Sequence, residues 1–204
     1  MIPGNPQILT CPFCGKEKEI MSLVSGNTCG AEYWSDNKQI APMLPEISFV
    51  QNCPHCGKYY IRTRQEIRYK DDGCSFEQGL LSFIEMKEAF AQLSQEGYKE
   101  SYEEPNVRVM LHQAYNDYYH RNKDNSEILS EDWNLFVSNA KWLIDNVITD
   151  SVLKAEYNRE ISEFSTALSL LASRERSSDK FFERFADVVR EKAQNKDNHV
   201  FRIE

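Results

Sequence analysis

Two hexapeptides decide how this chain is to be read: Cys11-Pro12-Phe13-Cys14-Gly15-Lys16 and Cys53-Pro54-His55-Cys56-Gly57-Lys58. Each is a C-x-x-C turn in which both sulfurs face the same side. Proline after the first cysteine fixes φ near −65°, and glycine after the second permits positive φ, so that backbone N–H groups turn toward the sulfurs. Two such turns supply four thiolates, a closed tetrahedral set that suits Zn²⁺. Three other readings compete: ordinary buried cysteines, disulfides, and an iron–sulfur cluster. Near-identity of two copies argues against the first. A chain with no apparent export signal argues against the second, and a proline-glycine turn repeated at long separation is more typical of a zinc ribbon than of a cluster. The expected site is one structural Zn²⁺ held by Cys11, Cys14, Cys53 and Cys56. A closed shell leaves no position for a catalytic water, and a unit this small needs the metal in order to fold.

Working outward, the segment between the turns runs Ser25-Gly26-Asn27-Thr28-Cys29-Gly30-Ala31-Glu32-Tyr33-Trp34-Ser35-Asp36 and then on to Ala41-Pro42-Met43-Leu44-Pro45. Glycine, asparagine and serine mark turns between short strands, and Pro42 and Pro45 exclude a helix. The stretch resembles a family of uncharacterised bacterial proteins in which a CPxCG pair brackets a segment like SGNTxGAxxWSDxxxxAPMLPE and a helical region follows. The likeness covers most of residues 9–60, with a cysteine at position 29 where an aromatic or aliphatic residue is expected. It implies the order of domains and no activity. Asn27, Trp34 and Asp36, with Cys29, form a conceivable polar site, but turn geometry and a tryptophan covering a small core account for the same residues. Cys29 and Cys74 lack further ligands for a second metal.

After the second turn, Tyr59 to Lys70 alternates with period two, which predicts a strand or strand pair. One face carries Tyr59, Ile61, Ile67 and Tyr69, the other Arg62, Arg64, Arg68 and Lys70 together with Glu66. A basic ribbon of this kind could hold single-stranded nucleic acid, or it could face solvent or the rest of the chain.

From Phe76 onward the hydrophobic period becomes helical. Phe83, Met86, Phe90 and Leu93 share a face of a first helix ending near Gly97. Asn106 is the expected cap of a second helix and Ser130 of a third, and further helices are expected around Leu153–Arg159, 163–172 and 178–194. The stretch Ala155 to Ala167 resembles the centre of a tetratricopeptide repeat. In that family small residues let two helices approach, the roles Ala155 and Ala167 would take here, with Phe164 and Leu171 filling the gap. Ser162 stands where the turn glycine is usual, Arg174 where a small residue is expected, and no second copy appears at the repeat's period.

Charge divides along the same line. Residues 1–75 hold eight basic and eight acidic side chains, so the net charge of −8 belongs wholly to residues 76–204. The expected organisation is therefore α+β: a zinc ribbon over 1–75, then a helical, tetratricopeptide-like domain over 76–204. No apolar run is long enough to cross a bilayer, and Met1 to Thr10 does not read as a signal peptide, so a cytoplasmic setting is expected. No phosphate-binding glycine loop, nucleophile elbow or HExxH helix occurs, and His112 and His120 stand too far apart along one helix to share a metal. No small-molecule substrate suggests itself. The function expected is a non-enzymatic adaptor whose helices bind a protein or peptide, with a basic partner favoured by the acidic surplus. The alternative is a nucleic-acid-binding ribbon with a helical dimerisation or regulatory arm.

Overall fold

The computed structural model describes residues 1–121 and 127–203. In chain order the elements are β1 (Ile2–Pro3), β2 (Gln7–Thr10), β3 (Glu17–Ile20), β4 (Leu23–Ser25), β5 (Glu32–Trp34), β6 (Gln39–Ile40), β7 (Val50–Asn52), β8 (Tyr59–Ile61) and β9 (Arg68–Tyr69), then α1 (Phe83–Glu96), α2 (Glu103–Asn116), α3 (Ser130–Asn146), α4 (Ser151–Glu160), α5 (Phe164–Ser173), α6 (Lys180–Gln194) and β10 (Arg202–Ile203). This is the α+β layout, strands first and helices after. No helix among the described residues is long and apolar enough to cross a membrane.

The switch from strands to helices falls between Tyr69 and Phe83, where the composition changes. Compact packing divides the chain differently: one unit comprises Met1–Glu32 and Gln39–Ala114, the other Tyr33–Lys38 and Tyr115–Glu204. Helix α1 and most of α2 thus join the ribbon's unit, and a six-residue piece of the ribbon segment joins the helical one.

In the first unit, β2 pairs antiparallel with β3 on one side and β9 on the other, while β7 pairs with β8. Leu9, Cys11, Ile20, Cys53 and Tyr60 form its buried centre, with Ile47 and Ile67 packed against it. Helix α1 begins with a capping box, Ser82 and Glu85 each satisfying the other's backbone N–H, and ends at Gly97 with φ 81°. Its buried stripe is Phe83, Met86, Ala89 and Leu93; Phe90, expected on that stripe, is half-buried and lies beneath the Arg108 guanidinium. Gln92 reaches from α1 to β8, accepting from Tyr59 N–H (3.1 Å) and donating to Tyr59 C=O (2.8 Å). The helix side chain therefore does for the strand what a neighbouring strand would do.

Two expectations are corrected here. The stretch Tyr59 to Lys70 is not one alternating strand: β8 ends at Ile61, a 3₁₀ turn covers Arg62–Arg64, and β9 joins a different sheet. Tyr59, Tyr60 and Ile61 are all buried. Helix α1 binds Tyr59 while Tyr60 faces the ribbon centre, so the strand has two covered faces rather than one. Helix α2 begins at Glu103, three residues before the expected cap, and the Asn106 side chain bonds back to Tyr102 C=O. Pro105 sits in the first turn, where its missing N–H costs nothing.

The second unit is helical. Helix α3 buries Phe136, Ala140 and Leu143; its first residue is Ser130, and Leu129 occupies the cap position without a side-chain bond. Asp150 caps α4 and Asp179 caps α6, each accepting two backbone N–H groups. Val152, Ala155, Ala167, Leu171, Ala186, Val189 and Ala193 form the centre of the α4–α5–α6 stack, with Phe164 packed against it. Four alanines at or below 1% exposure let three helices approach closely. Ala155, Ala167 and Leu171 thus lie in the buried centre, and Phe164 lies against it. Chain beyond α6 then returns as β10 to pair with β5, Arg202 opposite Trp34 and Ile203 opposite Tyr33.

Candidate metal centre

Both C-x-x-C turns have the same internal geometry. In the first, Cys11 N–H donates to Lys16 C=O (2.8 Å) and Gly15 N–H to Cys11 C=O (3.0 Å); in the second, Cys53 N–H donates to Lys58 C=O (2.9 Å) and Gly57 N–H to Cys53 C=O (2.8 Å). Gly15 and Gly57 have φ 70° and 71°, values that an L side chain adopts only with strain, which is why both turns carry glycine there. Strand β2 runs into the first turn, and the second links β7 to β8.

The turns bring Cys11, Cys14, Cys53 and Cys56 together, with all four sulfurs within 4.8 Å of one another. Cys11 Sγ lies 3.7 Å from Cys56 Sγ, and Cys14 Sγ lies 3.6 Å from Cys53 Sγ. Those distances are far beyond a disulfide's ~2.05 Å, and all six cysteines are free thiols. Cys11 and Cys53 are 2% exposed, so each turn contributes one buried and one exposed sulfur. Burial raises the Cys53 thiol's pKa, but backbone N–H groups of Cys56 and His55 and the neighbouring thiols outweigh it and bring the pKa down to about 7. Backbone N–H of Lys16 favours the thiolate of Cys14, yet burial and the other three sulfurs push its pKa up to about 12. The set thus gives up its first proton readily and the later ones reluctantly, as expected of sulfurs too close to carry like charge without a cation among them. Tyr60, buried beside them, is pushed up to about 12 by burial and then by the same sulfurs.

The remaining candidate residues are placed as follows. Asn27 closes its own turn by accepting from Cys29 N–H (2.9 Å); Cys29 and Cys74 are exposed. Trp34 and Asp36 belong to the second unit. Asp36 is fully buried, bonded to Arg121, Lys38 N–H and Asn116 Nδ2 (3.0 Å), and the Arg121 guanidinium lies 4.8 Å from the Trp34 ring. Asn116 Nδ2 also donates to Glu160 at 3.0 Å. Asp36 is thus part of an interior charge network as the partner of Arg121, whereas Trp34 also lines a cavity with Ser35 and Asn37. Arg121, Asn116 and Glu160 carry no sequence pattern that could have joined them to Asp36. A turn of π-helix over Asp117–Arg121, following α2, brings Arg121 there.

Of the basic residues, Arg64 pairs with fully buried Glu103, Arg68 with Glu17 and Lys70 with Glu19, while Arg62 donates to Gln7 at 3.4 Å. Glu17 and Glu19 lie on β3, across β2 from β9, so the partners of Arg68 and Lys70 come from the ribbon itself, whereas that of Arg64 comes from α2. Arg64 holds the Glu103 carboxyl down at about 2, assisted by the Lys99 and Glu100 N–H groups against the cost of burial.

No protein-family model matches the chain, and no curated protein or solved structure matches it.

Proposed function

We propose that the chain is a non-enzymatic zinc-ribbon adaptor of a reducing, cytoplasmic compartment, in which one structural Zn²⁺ organises the first unit and the helical second unit binds a protein or peptide. The observation that carries the metal half is the sulfur geometry. A tetrahedron with Zn–S bonds of about 2.3 Å has S···S edges of about 3.8 Å, against 3.6 and 3.7 Å here. Iron–sulfur clusters interpose several iron and sulfide atoms and need wider spacing. Four thiolates around one ion leave no coordination position for a reacting water, which favours an architectural role.

The partner-binding half rests on the α4–α5–α6 stack, a close-packed helical array of the kind that presents grooves rather than reaction centres. Nucleic-acid binding has weaker support, because Arg64, Arg68 and Lys70 each already face a carboxylate. Metal analysis of the purified chain tests the first half: about one zinc per chain is expected, falling toward none in Cys53→Ser. Retention on single-stranded RNA that is lost in Arg68→Glu/Lys70→Glu would favour the ribbon alternative instead.

A further inference from the structure

The two C-x-x-C turns present their sulfurs unequally. Cys11 and Cys53, the first of each turn, are buried, whereas Cys14 and Cys56, the second of each, are exposed. Across the centre each exposed sulfur faces a buried one from the other turn: Cys14 Sγ lies 3.6 Å from Cys53 Sγ, and Cys56 Sγ lies 3.7 Å from Cys11 Sγ. These are the two sulfur pairs in hydrogen-bonding contact among the described residues, and both cross between turns. Every sulfur that a solute can reach therefore has a sheltered second sulfur beside it. That arrangement lets a first oxidation end in a disulfide instead of climbing to a sulfinic acid. Cys29 and Cys74 are exposed as well, but they belong to no such cluster among the described residues.

Zinc-binding cysteines are held as thiolates, and Zn²⁺ has no redox chemistry of its own, so any electrons given up come from sulfur. The oxidant that suits such a centre is hydrogen peroxide, small enough to need only one reachable thiolate. Cys14 Sγ attacks one peroxide oxygen; the O–O bond breaks, the other oxygen leaves as hydroxide and takes up a proton, and Cys14 becomes a sulfenic acid. Cys53 Sγ then attacks the Cys14 sulfur, the S–O bond breaks, and a second hydroxide leaves and takes up a proton. For each pair, two thiolates, one hydrogen peroxide and two protons give one disulfide and two waters. The same steps join Cys56 to Cys11, and no thiolate is left to hold an ion.

We propose that the four-sulfur centre is also an oxidation site, at which hydrogen peroxide joins Cys14 to Cys53 and Cys56 to Cys11, expels the ion and leaves two disulfides as cross-links between the turns. The inference rests on the metal reading above and adds a regulation to that site. Its consequence for the fold follows from the connectivity. The two bonds span 39 and 45 positions, so they close long loops and tie one turn to the other, as the ion does. Bonds inside the turns, from Cys11 to Cys14 and from Cys53 to Cys56, close only short loops and leave the turns free of each other. Oxidation thus removes the metal and keeps the ribbon, whereas chelation of the reduced chain removes both. Thiol–disulfide exchange with a reducing dithiol reopens the site.

Treating the full zinc-loaded chain with a small excess of hydrogen peroxide tests the proposal, with the Cys29→Ser/Cys74→Ser chain, which keeps all four sulfurs of the centre, run in parallel. Bound zinc, read with a chromogenic chelator, should fall from about one per chain to near none. Mass spectrometry of an alkylated, unreduced digest should find the two turn peptides joined to each other, Cys14 to Cys53 and Cys11 to Cys56, in both chains. Hydrogen exchange of the oxidised chain should still show β2, β3, β7 and β8 protected, and a thiol reductant given together with a chelator should abolish that protection. Disulfides inside the turns, bonds to Cys29 or Cys74, sulfinic acid at Cys14 or Cys56, or zinc retained with the four thiols intact would each overturn the proposal. Zinc content before oxidation tests the metal reading by itself, and the disulfide map tests this inference whatever that content is.

Discussion

The two units are held together by different means. In the first, strands of two to four residues enclose a small centre of which two cysteines are part, and the four sulfurs meet at its edge. The second has a contiguous core of seven residues from three helices, and it also buries a set of charges: Asp36, Glu156, Arg159 and Glu160 are all fully enclosed. Short strands over so small a centre do not outweigh the entropy of ordering their part of the chain, so the ribbon strands depend on the ion, while α1 and α2 add a helical core of Phe83, Met86, Ala89, Leu93, Val107 and Leu111 to the same unit. The helical unit depends on close packing and on every buried charge keeping its partner. One sequence thus contains two separate answers to the problem of a limited core.

Removing the metal should expose this difference most strongly. Zinc binding by such peptides contributes roughly 10–16 kcal/mol at neutral pH, more than a unit of this kind has in reserve. A strong chelator, or Cys53→Ser, is expected to abolish hydrogen-exchange protection in β2, β3, β7 and β8 while α4 to α6 stay protected. Equal loss in both units would end the distinction. Cys29→Ser and Cys74→Ser should leave metal content unchanged.

The reciprocal lesion lies at Arg159, whose guanidinium bonds both oxygens of Glu156 and the Asp197 C=O with no exposure of either side chain. Arg159→Met strands the Glu156 carboxylate in the interior and should cost the helical unit about 3–5 kcal/mol, whereas Arg159→Met/Glu156→Met should recover most of that. Urea unfolding followed through α4 to α6 measures both. A double variant no more stable than the single one would mean that the pair is not the source of the loss.

Acid should separate the units by order of failure. Protons compete with the metal for thiolates, so the ribbon unit gives way first. In the helical unit Glu183 is held at about 2 by Arg174 and by the Ser177 N–H. Burial works against the charged form of Asp197, but Lys192 and the His199 N–H still hold it at about 2. Both pKa values are depressed on folding, so their contribution is fully present above the unfolded carboxylate range near pH 4 and fades as pH falls toward 2. Helix content of α4 to α6 should therefore stay level from neutrality down to about pH 4.5 and then decline. Loss of these helices together with the metal would contradict the separation.

What the sequence shows of this comparison is uneven, for physical reasons. The CPxCGK copies are legible because the turn needs those residues at those positions, and α1 is legible because Phe83, Met86 and Leu93 recur at helical spacing and Gly97 marks its end. Alternation misleads at Tyr59 to Lys70, since period two reports a strand with one wet face and β8 has none. The buried network of Asp36, Asn116, Arg121 and Glu160 is not legible at all. Its members are separated by up to 124 positions, and a local pattern carries no trace of long-range pairing. The limits of the units are hidden likewise, because composition changes near Phe76 whereas packing sends α1 to the ribbon.

The finest contrast is in how helices end. In the ribbon unit α1 stops at Gly97, with φ 81°. In the helical unit α4 and α6 end in the same two-bond motif but without glycine. Ser162 N–H donates to Arg159 C=O (2.9 Å) and Glu163 N–H to Asn158 C=O (2.8 Å), while Lys196 N–H donates to Ala193 C=O (3.2 Å) and Asp197 N–H to Lys192 C=O (3.0 Å). Ser162 and Lys196 take φ 66° and 54° to make these bonds, a conformation that costs an L residue roughly 1–2 kcal/mol. Glycine would relieve that strain and restore part of it as extra freedom in the unfolded chain. Lys196→Gly should therefore stabilise the helical unit by a few tenths to about 1 kcal/mol. Ser162→Gly should gain less, since it also gives up the contact from Asn198 Nδ2 at 3.3 Å. Gly97→Ala, by the same reasoning, should weaken α1 by about 1 kcal/mol. Calorimetric melting of the three variants checks the order; a destabilised Lys196→Gly would show that the side chain, and not the backbone, sets the end of α6.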